Sequence, residues 1–186
     1  MDPVNDAELM NRVRLGDREA FTQLVDRHKD GLVNYLTGLT RCRDRAEELA
    51  QESFLRLYQH SARYREQGQL VPFLFRIATN LLRSEERRYR RWRFLSMKFS
   101  SNGHDPRPTP QARLLKEELA EHVARALAEL PLKFRSPLVL REIEGWTYRE
   151  IASTLGCGEG TVKSRIHRGR AQLRRLLGPY WNGGQG

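Results

Sequence analysis

The segment YREIASTLGCGEGTVKSRIHR, residues 148–168, decides the fold of the C-terminal half of the chain. Its first part carries apolar side chains at positions i, i+3, i+4 and i+7, namely Tyr148, Ile151, Ala152 and Leu155. This spacing predicts a short amphipathic helix. Gly156 can end that helix, because glycine accepts the left-handed conformation at a helix C-terminus. Two helices joined by such a corner are typical of a helix-turn-helix.

The second helix of this pair has one aliphatic stripe and one cationic face. Val162, Ile166 and Leu173 fall within a narrow arc at about 100° per residue, together with Gly169. The opposite arc holds only polar or small side chains: Ser164, His167, Arg168 and Ala171, flanked by Lys163, Arg165 and Arg170. In a helix-turn-helix the second helix enters the DNA major groove, where Arg, Lys, Ser and His can contact bases or phosphates. The alternative is a helical hairpin with a solvated arginine-rich face.

Residues 72–93, PFLFRIATNLLRSEERRYRRWR, predict another helix with a basic face. Pro72 suits the start of a helix. The predicted buried stripe is Leu74, Ile77, Ala78, Leu81 and Leu82, and the opposite stripe is Arg76, Thr79, Asn80, Arg83, Arg87 and Arg90. A cationic stripe with one amide suits a nucleic-acid backbone and one base edge. The aromatic residues Tyr64, Phe73 and Phe75 either stack on exposed bases or belong to the core, and the arginine stripe could equally be solvated.

Residues 43–60 predict a helix of opposite charge. The predicted buried arc is Ala46, Leu49, Ala50, Ser53 and Leu57, and the outward arc is Glu48, Gln51, Glu52 and Leu55, with Glu47, Phe54 and Tyr58 at its margins. An exposed leucine among carboxylates is unusual on a solvated face. It favours a docking patch for a basic protein partner, with an ordinary acidic helix as the alternative.

The composition restricts the classes of partner and of site. The chain has 186 residues, with 33 Lys and Arg against 23 Asp and Glu, and a formal net charge of +10, which favours a polyanionic partner. No apolar run is long enough for a transmembrane helix, and the polar N-terminus does not resemble a signal peptide. Cys42, Cys157 and five histidines lack metal-ligand spacing, so we expect no metal, cofactor or disulfide, and a reducing cytosol.

The segment SMKFSSNGHDPRPTPQA, residues 96–112, has the composition of a linker. We therefore predict an all-α protein of two small helical domains, residues 1–95 and 113–180, joined by a flexible linker at 96–112. The tail after about residue 177 is predicted to fray. About 18 linker residues can span up to roughly 60 Å, more than one and a half turns of DNA.

Together, these segments resemble the bacterial RNA polymerase sigma factors of the sigma-70 superfamily, in particular the extracytoplasmic-function (ECF) group with only regions 2 and 4. AEELAQESFLRLYQ resembles region 2.2, PFLFRIATNLLRSEERRYRR regions 2.3–2.4, and the segment from ALAELPLKF to GRAQLRR region 4. The resemblance covers almost the whole chain. It implies a non-enzymatic factor that binds core polymerase and directs initiation at −10 and −35 promoter elements.

The resemblance also implies roles for individual residues. Contacts to the clamp helices of the polymerase largest subunit would come from Glu48, Gln51, Glu52 and Leu55. The −10 element would be contacted by Tyr64, Arg76, Asn80, Arg83 and Arg87. The −35 element would be contacted by Thr161, Lys163, Ser164, Arg165, His167, Arg168 and Arg170. Region 4 would also meet the polymerase flap. An anti-sigma factor would control the chain, which would be cytoplasmic or held at the inner membrane face by that partner.

Two other classes of protein remain open from the residues. A repressor or activator would use the helix-turn-helix without polymerase and would bind duplex DNA tightly on its own. A nuclease would use Glu47, Glu48 and Glu52 with Mg²⁺. However, no Asp or His converges with these carboxylates in the sequence, and one helix seldom builds a two-metal site.

Overall fold

The computed structural model describes residues 5–64, 70–96 and 116–181. Over these ranges the chain forms eight α-helices and one 3₁₀ turn, with no strand. The helices are α1 (Asp6–Arg14), α2 (Arg18–Thr40), α3 (Arg43–Gln59), α4 (Leu70–Ser96), α5 (Lys116–Glu129), α6 (Leu132–Glu142), α7 (Tyr148–Leu155) and α8 (Glu159–Trp181), and the 3₁₀ turn is Ser61–Arg63. The predicted all-α class is confirmed.

Helices α1–α4 form the N-terminal lobe. Side chains begin the first two helices: Asn5 accepts a hydrogen bond from the Glu8 amide (2.8 Å), and Asp17 accepts one from the Ala20 amide (3.0 Å). The Ala20 amide and Arg12 both bind the Asp17 carboxylate and lower its pKa. The two capping side chains fix the first residue of each helix. The apolar pattern alone would locate these starts only to within a residue or two.

Helix α3 buries the predicted arc. Ala46, Leu49, Ala50, Ser53 and Leu57 are all buried. Phe54 was predicted at the margin of the exposed face, and this was wrong, because its side chain is only 5% exposed. Phe54 lies one turn from Ala50 and from Leu57, so its large ring extends into the core beside them.

Helix α4 begins at Leu70, so Pro72 lies within its first turn, where the amide that proline lacks has no helical partner. Leu74, Ala78, Leu81 and Leu82 are buried as predicted. Ile77 is only half-buried. Thr79 was predicted on the basic stripe and this was wrong. It is 1% exposed, and its hydroxyl donates to the Phe75 carbonyl (2.7 Å), so it accepts from the Tyr35 hydroxyl (2.8 Å).

Tyr35 predicts a measurable pH dependence of stability. Complete burial raises its pKa to about 12, whereas an unfolded tyrosine titrates near 10. As the pH rises from 9 to 11, the unfolded chain loses this proton and the folded chain keeps it, so stability falls by about 1 kcal/mol. Below pH 9 both forms keep the proton, so this loss of stability does not occur there. Urea unfolding gives the free energies of unfolding of the wild type and of Tyr35→Phe. Their difference should shrink by that amount between pH 9 and pH 11, because only the wild type carries the Tyr35 hydroxyl and the other tyrosines titrate in both proteins. A constant difference between pH 9 and 11 would contradict the assignment.

Helices α5–α8 form the C-terminal lobe, whose last two helices are the predicted helix-turn-helix. Thr147 caps α7 and accepts from the Glu150 amide, while the Glu150 carboxylate accepts from the Thr147 amide (2.7 Å) and hydroxyl. Hydrogen bonds from Thr147 lower the pKa of Glu150. Gly156 ends α7 with φ 63°, as predicted. The Cys157 amide then bonds to the Ala152 carbonyl (3.1 Å), which closes the corner.

The aliphatic stripe of α8 packs on the rest of this lobe. Val162 and Ile166 are 0% and 2% exposed. A Cβ placed on Gly169 would lie 3.4 Å from the Phe134 carbonyl oxygen, so the glycine allows α6 and α8 to approach closely. The predicted fraying after residue 177 was wrong, because α8 continues to Trp181. The tail beyond Trp181 and most of the predicted linker lie outside the described residues.

The two lobes pack directly against each other. Helices α2 and α4 contact α5, α6 and α7, and buried side chains from both lobes form one continuous hydrophobic cluster. The linker composition predicted two domains and no such interface. The domain boundaries at residues 95 and 113 remain predictions. Among the helices described, none combines the length and apolar character needed to span a membrane.

Candidate nucleic-acid interface

Helix α8 presents the predicted cationic face to solvent. Thr161, Lys163, Ser164, His167 and Arg168 are all exposed. Arg165 is half-buried, with its guanidinium 3.6 Å from the Cys157 sulfur, and the Lys163 ammonium lies 5.5 Å from the centre of the Tyr148 ring. The corner and α7 therefore orient the cations at the start of α8. These side chains are arranged as a recognition helix requires.

Arg170 differs from its neighbours on α8, because it is bound to a carboxylate of the same lobe. Its guanidinium contacts Glu142 Oε1 at 3.1 Å and 2.5 Å. The hydrogen bond to Glu142 raises the pKa of Arg170. Sequence analysis grouped Arg170 with the DNA-contacting residues, and the structure ties it to α6 instead. Glu142 is therefore a salt-bridge partner of α8.

Helix α4 presents a second cationic surface. Arg76, Asn80 and Arg87 are exposed, and Arg83 is half-buried and donates to the Asn80 side-chain oxygen (3.2 Å). The Arg76 guanidinium lies 5.2 Å from the centre of the Phe73 ring. Four of the predicted −10 residues thus share one face of α4. The side chain of Arg90 is outside the described part of the chain.

The aromatic residues near α4 belong mainly to the core. Tyr64 is 9% exposed and packs on Phe73 at 5.4 Å between ring centres. Phe75 is 4% exposed and lies between Tyr35 (5.1 Å) and Trp146 (4.8 Å). In this conformation neither ring offers a free face to solvent, which favours the core alternative for both, and the assignment of Tyr64 to the −10 element stays a prediction. The loop that follows Tyr64, residues 65–69, lies outside the described residues.

Sequence analysis did not single out Tyr89 on α4. Its side chain is 56% exposed, which is unusual for a large aromatic residue. It lies beyond Arg87 on the same helix, within the sequence RRYRR. The sequence signal for this residue was a tyrosine within a run of arginines. It was missed because the helix was interpreted from the positions of its arginines.

The outward face of α3 is acidic and carries an exposed leucine. Leu55 is 49% exposed, Glu48 and Gln51 are exposed, and Glu52 is half-buried. Each carboxylate here is bound to an arginine: Glu47 to Arg43 (2.9 Å), Glu48 to Arg45, and Glu52 to Arg56 (2.8 Å). The hydrogen bond to Glu48 is the main cause that raises the pKa of Arg45, and Glu85 adds to it. We call Glu48, Gln51, Glu52 and Leu55 the α3 patch.

The pairing of these carboxylates gives no support to the nuclease alternative. A two-metal site needs carboxylates free to converge on the ions. Glu47, Glu48 and Glu52 instead lie along one helix, each bound to its own arginine. Within the described residues, no group of three or more His, Cys, Asp or Glu side chains is placed to hold a metal.

Two family models match the chain. Residues 24–93 match "Sigma-70 region 2", and residues 120–173 match "Sigma-70, region 4". The RNA polymerase sigma-H factor of Pseudomonas aeruginosa is 30% identical over 94% of this chain and 94% of its own length. The ECF RNA polymerase sigma-E factor of Haemophilus influenzae is 31% identical over 96% and 98%. The ECF RNA polymerase sigma factor SigE of Mycolicibacterium smegmatis is 36% identical over 89% of this chain but only 65% of its own length.

Solved structures show the same arrangement of helices. CnrH, solved in complex with the cytosolic domain of CnrY, superposes with a TM-score of 0.69 at 26% identity, covering 94% of this chain and 97% of CnrH. The sigma factor RpoE, solved with the anti-sigma factor NepR from Bartonella quintana, superposes with a TM-score of 0.67 at 25% identity, covering 84% and 96%.

The two basic faces and the helix-turn-helix define a class: an all-α protein with more than one surface suited to nucleic acid. Within that class, the matches to the family models and to the relatives identify the family. The chain belongs to the ECF sigma factors of the sigma-70 family. Sigma factors are transcription initiation factors and not enzymes, and they act with core RNA polymerase and promoter DNA.

Proposed function

We propose that this chain directs core RNA polymerase to promoters by contacting the polymerase with the α3 patch, the −10 element with α4 and the −35 element with α8. The observation that carries the proposal is the face of α8. Five polar or cationic side chains are exposed there, and the buried Val162 and Ile166 hold the helix in the orientation of a recognition helix. This chemistry suits guanine edges and phosphates.

For the −35 element, we assign base contacts to residues at the start of α8. Lys163, Ser164, Arg168 and His167 are exposed within its first three turns. The N-terminal part of a recognition helix is the part that reaches base edges. Arg165 is half-buried against Cys157. We therefore give Arg165 and Arg170 the role of orienting or holding the backbone, rather than of reading a base.

For the −10 element, we assign the exposed residues of α4. Arg76 and Arg87 would contact the phosphates along one side, and the exposed Asn80 between them would face a base edge, with its side-chain oxygen already accepting from Arg83. Capture of unpaired bases by such contacts would offset the few kcal/mol that separating a base from its stack costs.

For core polymerase, we assign the α3 patch. An exposed leucine surrounded by carboxylates fits a basic groove on a partner, where the leucine supplies apolar contact and the acids supply complementary charge. We further propose control by an anti-sigma protein and a cytoplasmic location. The support is that RpoE was solved with the anti-sigma factor NepR, and CnrH with the cytosolic domain of CnrY.

The direct test is transcription with purified components. Core polymerase with this chain should produce defined run-off transcripts from promoters of the source genome, and core alone should not. A helix-turn-helix repressor or activator would instead bind duplex DNA tightly without core. Tight, specific binding by the chain alone, with no core-dependent transcript, would overturn the proposal in favour of that alternative.

Arg168→Ala should weaken use of the −35 element by about 1–3 kcal/mol, because one bidentate base contact is lost. The measurement is transcription from the cognate promoter and from variants with each −35 base pair changed. The cognate promoter should lose activity, and discrimination at one position should relax. Arg125→Ala is the matched control, since Arg125 is an exposed arginine of the same lobe that lies on α5 and pairs with Glu121 of its own helix. Equal losses for both variants would refute the base contact.

A further inference from the structure

The ring of Tyr148 lies against two cations, one from each of the helices that flank α7 in the chain. The Lys163 ammonium of α8 lies 5.5 Å from the centre of the ring, and the Arg141 guanidinium of α6 lies 4.9 Å from it. A cation within about 6 Å of an aromatic ring is attracted by the negative face of the ring. Sequence analysis placed Tyr148 only in the apolar stripe of α7, so the helical pattern does not show these contacts.

Neighbouring contacts hold this ring in place. Tyr148 is half-buried and packs against the hydrophobic core at the first position of α7, directly after the Thr147 cap that Glu150 completes. Arg141 is fixed as well, because its guanidinium donates to the Trp146 carbonyl (2.7 Å). The ring therefore has little freedom to turn away from the ammonium that lies against it.

Lys163 has a second partner within reach on its own helix. Glu159 is exposed and lies four residues before Lys163, the spacing and order at which a carboxylate commonly pairs with an ammonium group on a helix. Within the part of the chain that the structure describes, no ion pair joins these two side chains, and the ammonium lies against Tyr148 instead. The ring and the carboxylate therefore compete for the same cation.

The two ways of holding a cation differ in what they leave for DNA. An ion pair uses the N–H donors of the cation, as Glu142 does with Arg170 on the same helix. A ring contact needs no acceptor atom, so the ammonium donors that face away from the ring stay available. It also restricts a long, flexible side chain in advance, which lowers the entropy that binding costs. Lys163 is therefore oriented and can still donate to a base or a phosphate.

We propose that Tyr148 is a positioning residue for recognition of the −35 element, whose ring holds Lys163 ready for the duplex and keeps it from pairing with Glu159. This inference rests on the proposed function, in which the start of α8 reads the −35 element, and it adds a residue of α7 that acts through Lys163. Without the ring, the ammonium turns back to Glu159 and its charge is neutralised within α8. If Tyr148 only packs α7, its loss has no particular dependence on Lys163.

The first measurement detects the contact itself, without DNA or polymerase. In the NMR spectrum of the full-length protein with labelled lysine, the ε-methylene signal of Lys163 is assigned by its loss in Lys163→Met. The ring should shift this signal upfield in the wild type and in Tyr148→Phe, and Tyr148→Leu should return it to the ordinary position. Lys133 is the internal control, because its ammonium lies 4.9 Å from the centre of the Phe134 ring and its signal should not change. An ordinary Lys163 signal in the wild type would contradict the contact.

The second measurement asks whether Tyr148 acts through Lys163. The promoter affinity of the chain in complex with core polymerase should fall about two- to fivefold in Tyr148→Leu, the range expected for one exposed cation–π contact. Tyr148→Phe keeps the ring and should bind as the wild type does. In a Lys163→Met background, Tyr148→Leu should cause no further loss. In an Arg168→Ala background the full loss should persist, because the effects of independent positions add.

General damage to the helix-turn-helix would give a different pattern. An equal loss in the Lys163→Met and Arg168→Ala backgrounds, or a loss that Tyr148→Phe does not restore, would overturn the positioning role. Tyr148→Met is carried through the same cycle as a second variant without a ring, in case circular dichroism shows that Tyr148→Leu loses helix content. If the wild type with core polymerase binds no promoter, the proposed function is wrong and the positioning role with it, while the lysine signal still decides the contact.

Discussion

Leu55→Asp is expected to lower the affinity of the chain for core RNA polymerase about 30-fold or more. Leu55 is 49% exposed in the middle of the α3 patch, where it is the one large apolar side chain. Apolar residues at the centre of an interface, surrounded by polar ones, often contribute 2 kcal/mol or more on truncation. Aspartate would also place another carboxylate against the partner's apolar contact. Titration of labelled core polymerase measures the change.

Leu15→Asp is the matched control for this substitution. Leu15 is 89% exposed in the turn between α1 and α2, away from the α3 patch, and it also belongs to the N-terminal lobe. The two variants make the same chemical change on surfaces that do not contribute to the core. Circular dichroism should show the same helix content in both. If the two variants bind core equally well, the α3 patch is not the polymerase contact.

Ile151→Ala is expected to destabilise the C-terminal lobe by about 2–5 kcal/mol, because it leaves a cavity in a close-packed core. Ile151 is 0% exposed on α7, and α7 packs against α8, α6 and α4. A loss of this size is a large part of the stability of an ordinary domain. Urea unfolding gives the free energy, and hydrogen exchange should show faster exchange in α7 and α8 than in α2 and α3.

Ile143→Ala provides the same deletion at an exposed position. Ile143 lies just after α6 in the same lobe and is 60% exposed. Its truncation should change the unfolding free energy by only about 0.5 kcal/mol. The Ile151 variant should also lose −35-dependent transcription, because the helix-turn-helix no longer holds α8 in place. Similar unfolding free energies for the two variants would contradict the packing described for α7.

The spacing of residues within a single helix was sufficient to predict which of its faces is buried and which is exposed. The buried arc of α3, the aliphatic stripe of α8 and the corner at Gly156 all follow from periodicity and from the conformational freedom of glycine. The exposed Leu55 and the cationic face of α8 could be predicted for the same reason. A residue's position around its own helix is set by its place in the sequence.

Predictions failed where a neighbouring element decided the environment. By sequence, Thr79 lies on the polar side of α4. In the structure Tyr35 of α2 covers it, and the hydrogen bond between the two hydroxyls allows Thr79 to be buried. The sequence left open whether Tyr64 and Phe75 stack on bases or belong to the core, and in the structure Phe73 and Trp146 pack on them. The partner of Arg170 is on α6, 28 positions away. None of these contacts has a signature in the local spacing.

The amino-acid sequence by itself determined the all-α class, the helix-turn-helix, the three charged surfaces and the family. Each depends on side chains a few residues apart, whose relative positions the helical repeat already sets. Only the tertiary structure decided that the two lobes pack together through Arg135 and Glu86, with Gly38 against Val139. Contacts between residues so distant in the chain depend on how whole helices pack, and many arrangements of the same amphipathic helices bury similar apolar area.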